Sequence, residues 1–499
     1  MGKKKSSNVE NYVLTFPLVT EKWQEDIIDK RFKLLKIIYN DFQSKMIRKY
    51  IYMSQLDTFK KCKTPIEISE FIDQYSVDFK TSNGTIRKIH PFTEYGFISY
   101  MSKFGKHYSD FGINSTILAY IASSCWKAWQ SFLFHGGKIK FKKNINIYKI
   151  RDKGDGFPGI NNKELLNNNK LVINVNGKRG KNAKFITIPF KVNKKYPYEL
   201  YCFMDKIVNL AIKREIIRGK KRYFVQFTFE GKKYSKNRKL GKGNVGIDLG
   251  ISIVTAASDS IVSINELGNQ KIDDIEREIR KTKNKLARSI RHNNPSNFYA
   301  NGTVKPHKNK LFWRYSNHYR DNYAKLNELY RKQRILRKKH HIGLANNFLH
   351  FGKHFVVENN RVNQWLKTIK YKTKKPLASK APAMFISILK NKVVSLGGTF
   401  DVVQCVNAAS QFDFTNQTFT KHKLWERKIK LSNGDIHLRD TIAAFNLQHL
   451  LYDGCQKSCN NYDINGMIQD YSNFCELEKK EIKRQKNISS NVAHTIGID

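Results

Sequence analysis

The sequence predicts an α/β protein in two parts: an N-terminal β domain carrying a helical insertion, and a C-terminal half built on a small mixed sheet. Three observations predict it. Apolar residues at helical spacing fill residues 21 to about 134, between one β-like segment and several later ones. From Asn244 the pattern turns to strand, strand, then long charged helices. Two short apolar runs of this second half each carry one carboxylate, Asp248 and Glu358. A chain of 499 residues, 40% hydrophobic, has length for two or three domains with ample core.

Tyr12-Val13-Leu14-Thr15-Phe16-Pro17-Leu18 reads as the first strand. Trp23, Ile27, Ile28, Phe32, Leu35, Ile38 and Tyr39 then follow the helical period. The run Ile113 to Trp126 is interrupted by Asn114, Ser115, Thr116, Ser123 and Ser124, so it reads as a core helix and no segment reads as a membrane span. Strands return at Leu171–Val175, Phe185–Phe190 and Tyr223–Phe229, with Asn-Gly and Arg-Gly turn signals between them.

In the second half, Val245-Gly246-Ile247-Asp248-Leu249-Gly250-Ile251 reads as a buried strand, followed by strands at Ile251–Ala257 and Ile261–Ile264. Two charged helices come next, about Lys271 to His292 and Leu311 to His341, joined by a polar stretch with Pro295, Gly302 and Pro306. Alternating signs at Asp274, Glu276, Arg277, Glu278 and Arg280 favour an exposed helical hairpin. The second helix is more basic and carries Tyr315, Tyr319, Tyr323 and Tyr330 along its length. The sheet resumes at Lys353–Glu358 and Phe400–Val403, with the apolar helix Ala383–Leu396 between, and Asp440 opens the apolar helix that runs to Leu451. The Asn-, Lys- and Glu-rich tail beyond Leu451 offers no clear pattern.

A carboxylate buried without a partner costs several kcal/mol or takes up a proton, so acids inside strands call for a cation. Asp440 by itself would be an ordinary helix-start Asp, favoured by free backbone N–H groups. Glu358 by itself would mark the strand leaving the core. Asp248 is flanked by Gly246 and Gly250, which remove side chains where another backbone or a phosphate approaches. Gly-Ile-Asp-Leu-Gly, then Val-Val-Glu, then Arg-Asp-x-x-Ala-Ala-x-Asn, in that order, point to a shared metal site.

These motifs resemble the TnpB-type proteins of insertion sequences and the compact type V CRISPR effectors similar to them. The resemblance covers residues from about 244 to 452, and the first 240 only in outline. It places Asp248, Glu358 and Asp440 on the three catalytic acids of a RuvC-like, RNase H-like nuclease domain. Arg439-Asp440-Thr441-Ile442-Ala443-Ala444-Phe445-Asn446 matches the third motif except that Ile442 stands where Asn is usual. The four-cysteine zinc knuckle of the family is missing: Ser410-Gln411-Phe412-Asp413-Phe414-Thr415-Asn416 has lost both opening cysteines, and only Cys405 lies between Glu358 and Asp440. No zinc is therefore expected in the 407–434 insertion, which Phe412, Phe414, Phe419, Leu424 and Trp425 are expected to hold as an apolar cluster. In outline, the resemblance implies a β-barrel-like wedge domain (1–20 and 135–240) with a helical recognition domain (21–134). It further implies the nuclease domain in 241–406 and 435–455, with a tail at 456–499.

Composition points to a polyanion independently. Lys and Arg number 91 against 42 Asp and Glu, a formal charge of +49, well beyond what solubility needs. Basic clusters at Lys138–Lys143, Arg214–Arg222 and Arg331–Lys339 are interleaved with aromatics, the combination that grips phosphates and stacks bases. Seven cysteines without dense spacing suit a reducing compartment, and Cys455, Cys459 and Cys475 lack a fourth ligand in a metal-binding spacing. Met1-Gly2-Lys3-Lys4-Lys5-Ser6 fits a myristoylation signal formally but reads as a basic tail. The resemblance implies a prokaryotic, cytoplasmic protein associated with the nucleoid.

The expected activity is an RNA-guided DNA endonuclease that hydrolyses phosphodiester bonds with two Mg²⁺ or Mn²⁺ ions about 3.5–4 Å apart, held by Asp248, Glu358 and Asp440. Its expected partners are a guide RNA and target DNA, double- and single-stranded. Arg427 and Arg439 are secondary candidates for phosphate contacts. No Ser-His-Asp set or Gly-x-x-x-x-Gly-Lys loop supports a covalent hydrolase or a nucleotide-driven motor. The alternatives are an RNA-guided binder that does not cut and a structure-specific nuclease that needs no guide.

Overall fold

The computed structural model describes residues 10–80, 84–151, 169–177, 180–232, 234, 238–306, 311–359, 377–404, 408–423, 425–451 and 461–488. The N-terminal basic tail, Cys405, Leu424, Cys455 and Cys459 lie outside the described residues. The chain divides into two compact units, Met1–Ser235 and Lys236–Asp499.

The first unit runs β1 (Asn11–Pro17), α1 (Lys22–Gln55), α2 (Pro65–Gln74), β2 (Val77–Lys80), β3 (Ile86–Ile89), α3 (Glu94–Ser102) and α4 (Ser115–His135). Strands β4 (Ile147–Arg151), β5 (Lys170–Asn174), β6 (Phe185–Pro189), β7 (Lys206–Ile217) and β8 (Lys220–Glu230) follow. An antiparallel sheet of order β1-β8-β7-β4 and a separate β5-β6 ribbon make up its β part. Among the described residues these strands do not close into the expected barrel; a single bridge, Leu18 to Phe190, links the sheet's first strand to the ribbon.

Helix α1 buries the stripe Ile28, Phe32, Leu35, Ile38, Tyr39, Phe42 and Met46, as its spacing predicts, but Trp23 is half exposed. Its N-terminus is closed by the reciprocal bonds of Glu21 and Gln24. Asp29 on the same helix pairs with Arg214 of β7 at 2.6 Å and with Lys221 of β8, tying helix to sheet. The helical stretch also contains the hairpin β2–β3, whose Val77, Phe79 and Ile86 are exposed. Strand β7 has no clean alternation because a bulge between Ile207 and Asn209 shifts its register. The Arg218-Gly219 turn after it takes positive φ at both residues, 51° and 77°, the turn that matches strand twist.

The second unit is built on β9 (Asn244–Leu249), β10 (Ile253–Ser258), β11 (Ile261–Glu266), β12 (His354–Glu358) and β13 (Thr399–Val403). They form one sheet of order β11-β10-β9-β12-β13, antiparallel across the first three strands and parallel from β9 through β13. Helices α5 (Gln270–Asn293) and α6 (Asn317–Phe348) form the expected hairpin. It is packed through Ile279, Leu286, Leu326 and Leu329 and started by Asn269 and Ser316 caps. Helix α7 (Pro382–Ser395) follows, then the short strands β14 (Phe412–Asp413), β15 (Thr418–Phe419), β16 (Lys428–Lys430) and β17 (Ile436–Leu438). Helices α8 (Arg439–Gln448) and α9 (Ile464–Ile488) complete the unit. Within the tail that has no clear sequence pattern, Ile464–Ile488 is thus a 25-residue helix.

The side-chain alternation of the sheet separates two cores. Val245, Ile247, Leu249, Phe355 and Val357 meet α6 and α7 through Leu344, Phe348, Phe385 and Leu389. Ala257, Val262 and Val356 face the other way, against Ile442, Ala444, Phe445 and Leu447 of α8. The period of two therefore puts residues 246, 248, 356 and 358 on the α8 side. Among the described residues no helix is long and apolar enough to cross a membrane.

Candidate metal centre

Strands β9 and β12 run parallel with Val357 opposite Ile247 as their last paired residues. Asp248 and Glu358 each stand one step further, so they lie side by side on the α8 face at the strand spacing of about 4.8 Å. Asp440 comes from the first turn of α8, and Arg439 beside it reaches its Oδ1 from Nε at 3.3 Å and from Nη2 at 3.2 Å. Asp440 is held within electrostatic reach of Asp248.

What brings the helix so close is Gly246. A Cβ there would overlap the Ala444 carbonyl oxygen and the Gln448 amide nitrogen. Only glycine lets α8 lie directly on β9, and Ala443 and Ala444 are the small residues on the helix side. Asp440 precedes Ala444 by one turn, on the same stripe. The Gly-x-Asp and Asp-x-x-Ala-Ala spacings are therefore two sides of one contact.

The last residue of that motif holds another part of the site. The buried Asn446 amide donates to the carbonyl oxygens of Ala409 at 2.8 Å and Phe412 at 2.9 Å, fixing the loop between β13 and β14. The backbone N–H of Ala409 in turn donates to Glu358. One helix thus supplies Asp440 directly and steadies Glu358 through the loop.

The electrostatics are unfavourable for three free carboxylates. Asp248 keeps part of its surface open, yet dense surrounding protein desolvates it. Burial first, then the charges of Asp440 and Glu358, push its carboxyl well above the ordinary range, against a smaller opposing pull from Arg439. Burial also raises Glu358, while the Ala409 N–H works the other way. An oxygen-only donor set whose negative charge Arg439 only partly offsets suits a hard divalent cation rather than zinc. Among the described residues no ready-formed group of three or more His, Cys, Asp and Glu that could hold a metal ion is present.

The described part of the 407–434 insertion is held only partly as expected. Phe412 and Phe414 are buried, but Trp425 is 74% exposed and Phe419 is at the surface. Phe419 nevertheless packs on Phe412 at 5.0 Å, and residues of the C-terminal region extend the cluster: Tyr462 stacks on Phe412 with ring centroids 4.2 Å apart, and Tyr471 meets Phe414 edge-on at 5.1 Å. Asp413 and Asn416 stand where the resemblance puts the first cysteine pair. Asp413 accepts from the amides of Thr415 and Ser432 at 3.0 and 2.8 Å and from their hydroxyls at 2.6 and 2.8 Å, and Asn416 donates to the Ser432 hydroxyl at 2.6 Å. This clip joins the two halves of the insertion as a metal would. Burial works to raise the Asp413 carboxyl, but the bonds from Thr415 and Ser432 outweigh it and hold it below its ordinary value.

Arg427 is exposed, and its carbonyl oxygen accepts from the Arg439 amide at 2.8 Å. Tyr315, Tyr323 and Tyr330 are exposed, and Tyr319 packs between Tyr315 and Tyr323.

No protein-family model matches the chain. No curated protein matches it either. Among solved structures, its fold is distantly similar to a cryo-EM structure of a Cas12f1–sgRNA–target DNA complex, with TM-score 0.44 and 11% identity over 88% of this chain and 99% of that one. A CRISPR–Cas12f ternary complex gives TM-score 0.27 at 11% identity, over 90% and 100% of the two chains. A Cas12i–crRNA–dsDNA complex gives 0.30 at 11%, over 94% and 67%. The likeness is a distant one to type V CRISPR effectors, and it decides neither the chemistry nor the partners of this chain.

Proposed function

We propose that this protein is a divalent-metal-dependent endonuclease that cuts DNA under the guidance of RNA. One observation carries the nuclease reading: a desolvated Asp248 shares a sheet face with Glu358 and feels the charge of Asp440 at the start of the helix packed on that face. Three like charges brought together at a cost are what a cation site needs, and Asp248, Glu358 and Asp440 would hold it. When bound, a divalent cation lowers the pKa of water and stabilises charge on a leaving oxygen. The mixed sheet of order β11-β10-β9-β12-β13, with acids on its central strands, supports an RNase H-like core of the RuvC type.

The roles of the chain's own groups follow. Asp248 is fixed by a central strand, Glu358 is oriented by the Ala409 N–H, and Arg439 holds the Asp440 carboxylate through its guanidinium. A net charge of +49 supports a nucleic acid as the substrate and partner. Guidance by RNA rests on the resemblance of residues 244–452 to TnpB-type proteins. In that reading the first unit, with its β domain and residues 21–134 as helical insertion, grips the guide and its heteroduplex, which pairs with the target.

The test is to purify the full chain, extract and sequence bound RNA, and assay cleavage of a matched plasmid with Mg²⁺ for wild type and Asp248→Ala. A discrete bound RNA and cleavage lost only in the variant are expected. Cleavage without any bound RNA would leave a guide-independent nuclease, and a discrete RNA with an inert wild type would leave a guided binder.

A further inference from the structure

Helix α9 carries three polar residues that are almost fully buried: Glu478, Glu481 and Gln485 are 4%, 5% and 4% exposed. A buried carboxylate must be satisfied by specific donors, so each one marks a contact that the fold depends on. Glu481 and Gln485 grip the edge strand β11. The Ile264 N–H donates to Glu481 Oε1 at 2.8 Å, and Gln485 Nε2 donates to the Ile264 carbonyl oxygen at 2.7 Å. Glu478 grips something else.

Helix α8 begins without a side-chain cap, because its N-cap residue is Leu438. Glu478, from another helix, holds that start through the N-cap residue and the Thr441 side chain. The Leu438 N–H donates to its Oε1 at 3.1 Å, and the buried Thr441 hydroxyl lies between that oxygen and the Leu438 carbonyl oxygen. Its second oxygen, Oε2, lies 2.6 Å from Nδ1 of the buried His437. The ring's Nε2 is 2.7 Å from the Tyr471 hydroxyl, which donates to Asp435 at 2.6 Å. Residues 437, 438 and 441 are thus held by one carboxylate, and Asp440 lies inside the span it clamps.

From this geometry we propose that Glu478 is a positioning residue: it fixes the first turn of α8 and so sets where the Asp440 carboxylate stands relative to Asp248 and Glu358. The inference rests on the metal-site reading for its consequence, but the clamp itself is a separate physical claim. Supporting groups around a metal ligand typically affect metal affinity by about 10–100-fold.

Full-length wild type, Glu478→Ala, Glu478→Gln and Glu481→Ala separate the possibilities. The readouts are amide hydrogen exchange and Mn²⁺ binding followed by electron paramagnetic resonance, with Asp248→Ala marking the site-specific signal. Glu481→Ala controls for looser docking of the same helix. Glu478→Ala is expected to speed exchange at residues 440–443 and weaken Mn²⁺ binding about 10-fold. Glu481→Ala is expected to speed exchange around Ile264 and leave Mn²⁺ binding within about 2-fold, below that range. Glu478→Gln keeps an acceptor for the Leu438 N–H and is expected to recover most of the affinity. Equal losses in the two alanine variants, or exchange at residues 440–443 unchanged in Glu478→Ala, would overturn the proposal. If wild type and Asp248→Ala bind Mn²⁺ alike, the metal-site reading falls, and exchange at residues 440–443 alone decides whether Glu478 holds the helix.

Discussion

Asp248 is ionised only at a cost in the metal-free protein, because burial and two neighbouring carboxylates all favour its neutral form. A carboxyl whose folded pKa lies above its unfolded value holds its proton longer in the folded state. Its effect on stability is therefore least harmful at low pH, and stability falls as pH rises from the ordinary carboxylate range through the raised folded value. Asp248→Asn should remove that penalty. Metal-free Asp248→Asn is expected to be more stable than wild type at neutral pH by about 0.5–2 kcal/mol, while losing Mg²⁺-dependent cleavage. Chemical denaturation in the presence of a chelator checks the first part, and a variant less stable than wild type would contradict it. Glu358 acts in the same direction, with the Ala409 N–H as a partial offset.

The contact between β9 and α8 turns separate acids into a site, and Gly246 is its weak point. Gly246→Ala must push α8 away from the sheet, since the added carbon meets backbone atoms that cannot rotate aside. A loss of about 1–3 kcal/mol or more is expected, together with cleavage reduced beyond what the unfolded fraction explains, by analogy with overpacked cores. The insertion at 407–434 offers a second case. Asp413 takes over the cross-link that thiolates and zinc would form, so a zinc-selective chelator should leave the melting temperature unchanged, whereas Asp413→Ala should cost about 1–3 kcal/mol. Because its folded pKa is depressed, the contribution of Asp413 is present above the ordinary carboxylate value and is lost as pH falls through the lower, folded one. Melting curves of the two proteins converging toward acid pH would bear this out.

Over the full length, the excess of 91 basic over 42 acidic residues dominates. Binding driven by phosphate neutralisation falls linearly in log–log plots against salt. If six to ten phosphates are contacted, affinity for RNA is expected to drop roughly a thousandfold or more between 50 and 200 mM salt. A flat salt response in an equilibrium binding assay would remove the electrostatic basis of the nucleic-acid reading. Tyr323 and Tyr330 on α6, and Tyr315 just before it, expose their rings; under the nucleic-acid reading any stacking on them would be the part of binding that salt weakens least.

The residues alone determined much of the second unit. The strands of its main sheet are short β-branched runs, and the helices at 270–293, 382–395 and 439–448 could be read within three residues, whereas the second charged helix lies six or seven residues later than its expected 311–341. The placement of two acids could be read as well, Asp248 within a strand and Glu358 at the end of one. Other features had no local signal. Strand β7 is hidden by a bulge that breaks the alternation, and α9 by a polar composition whose buried members, Glu478, Glu481 and Gln485, look like surface residues until their partners are known. The partners that Tyr462 and Tyr471 provide to Phe412 and Phe414 could not be read either, since they arrive from further along the chain. Sequence fixes which groups are available and what local shape they prefer. Which of them meet is decided by the register of β12 on β9 and by a glycine that lets a helix approach, and those are properties of packing between segments far apart in the chain.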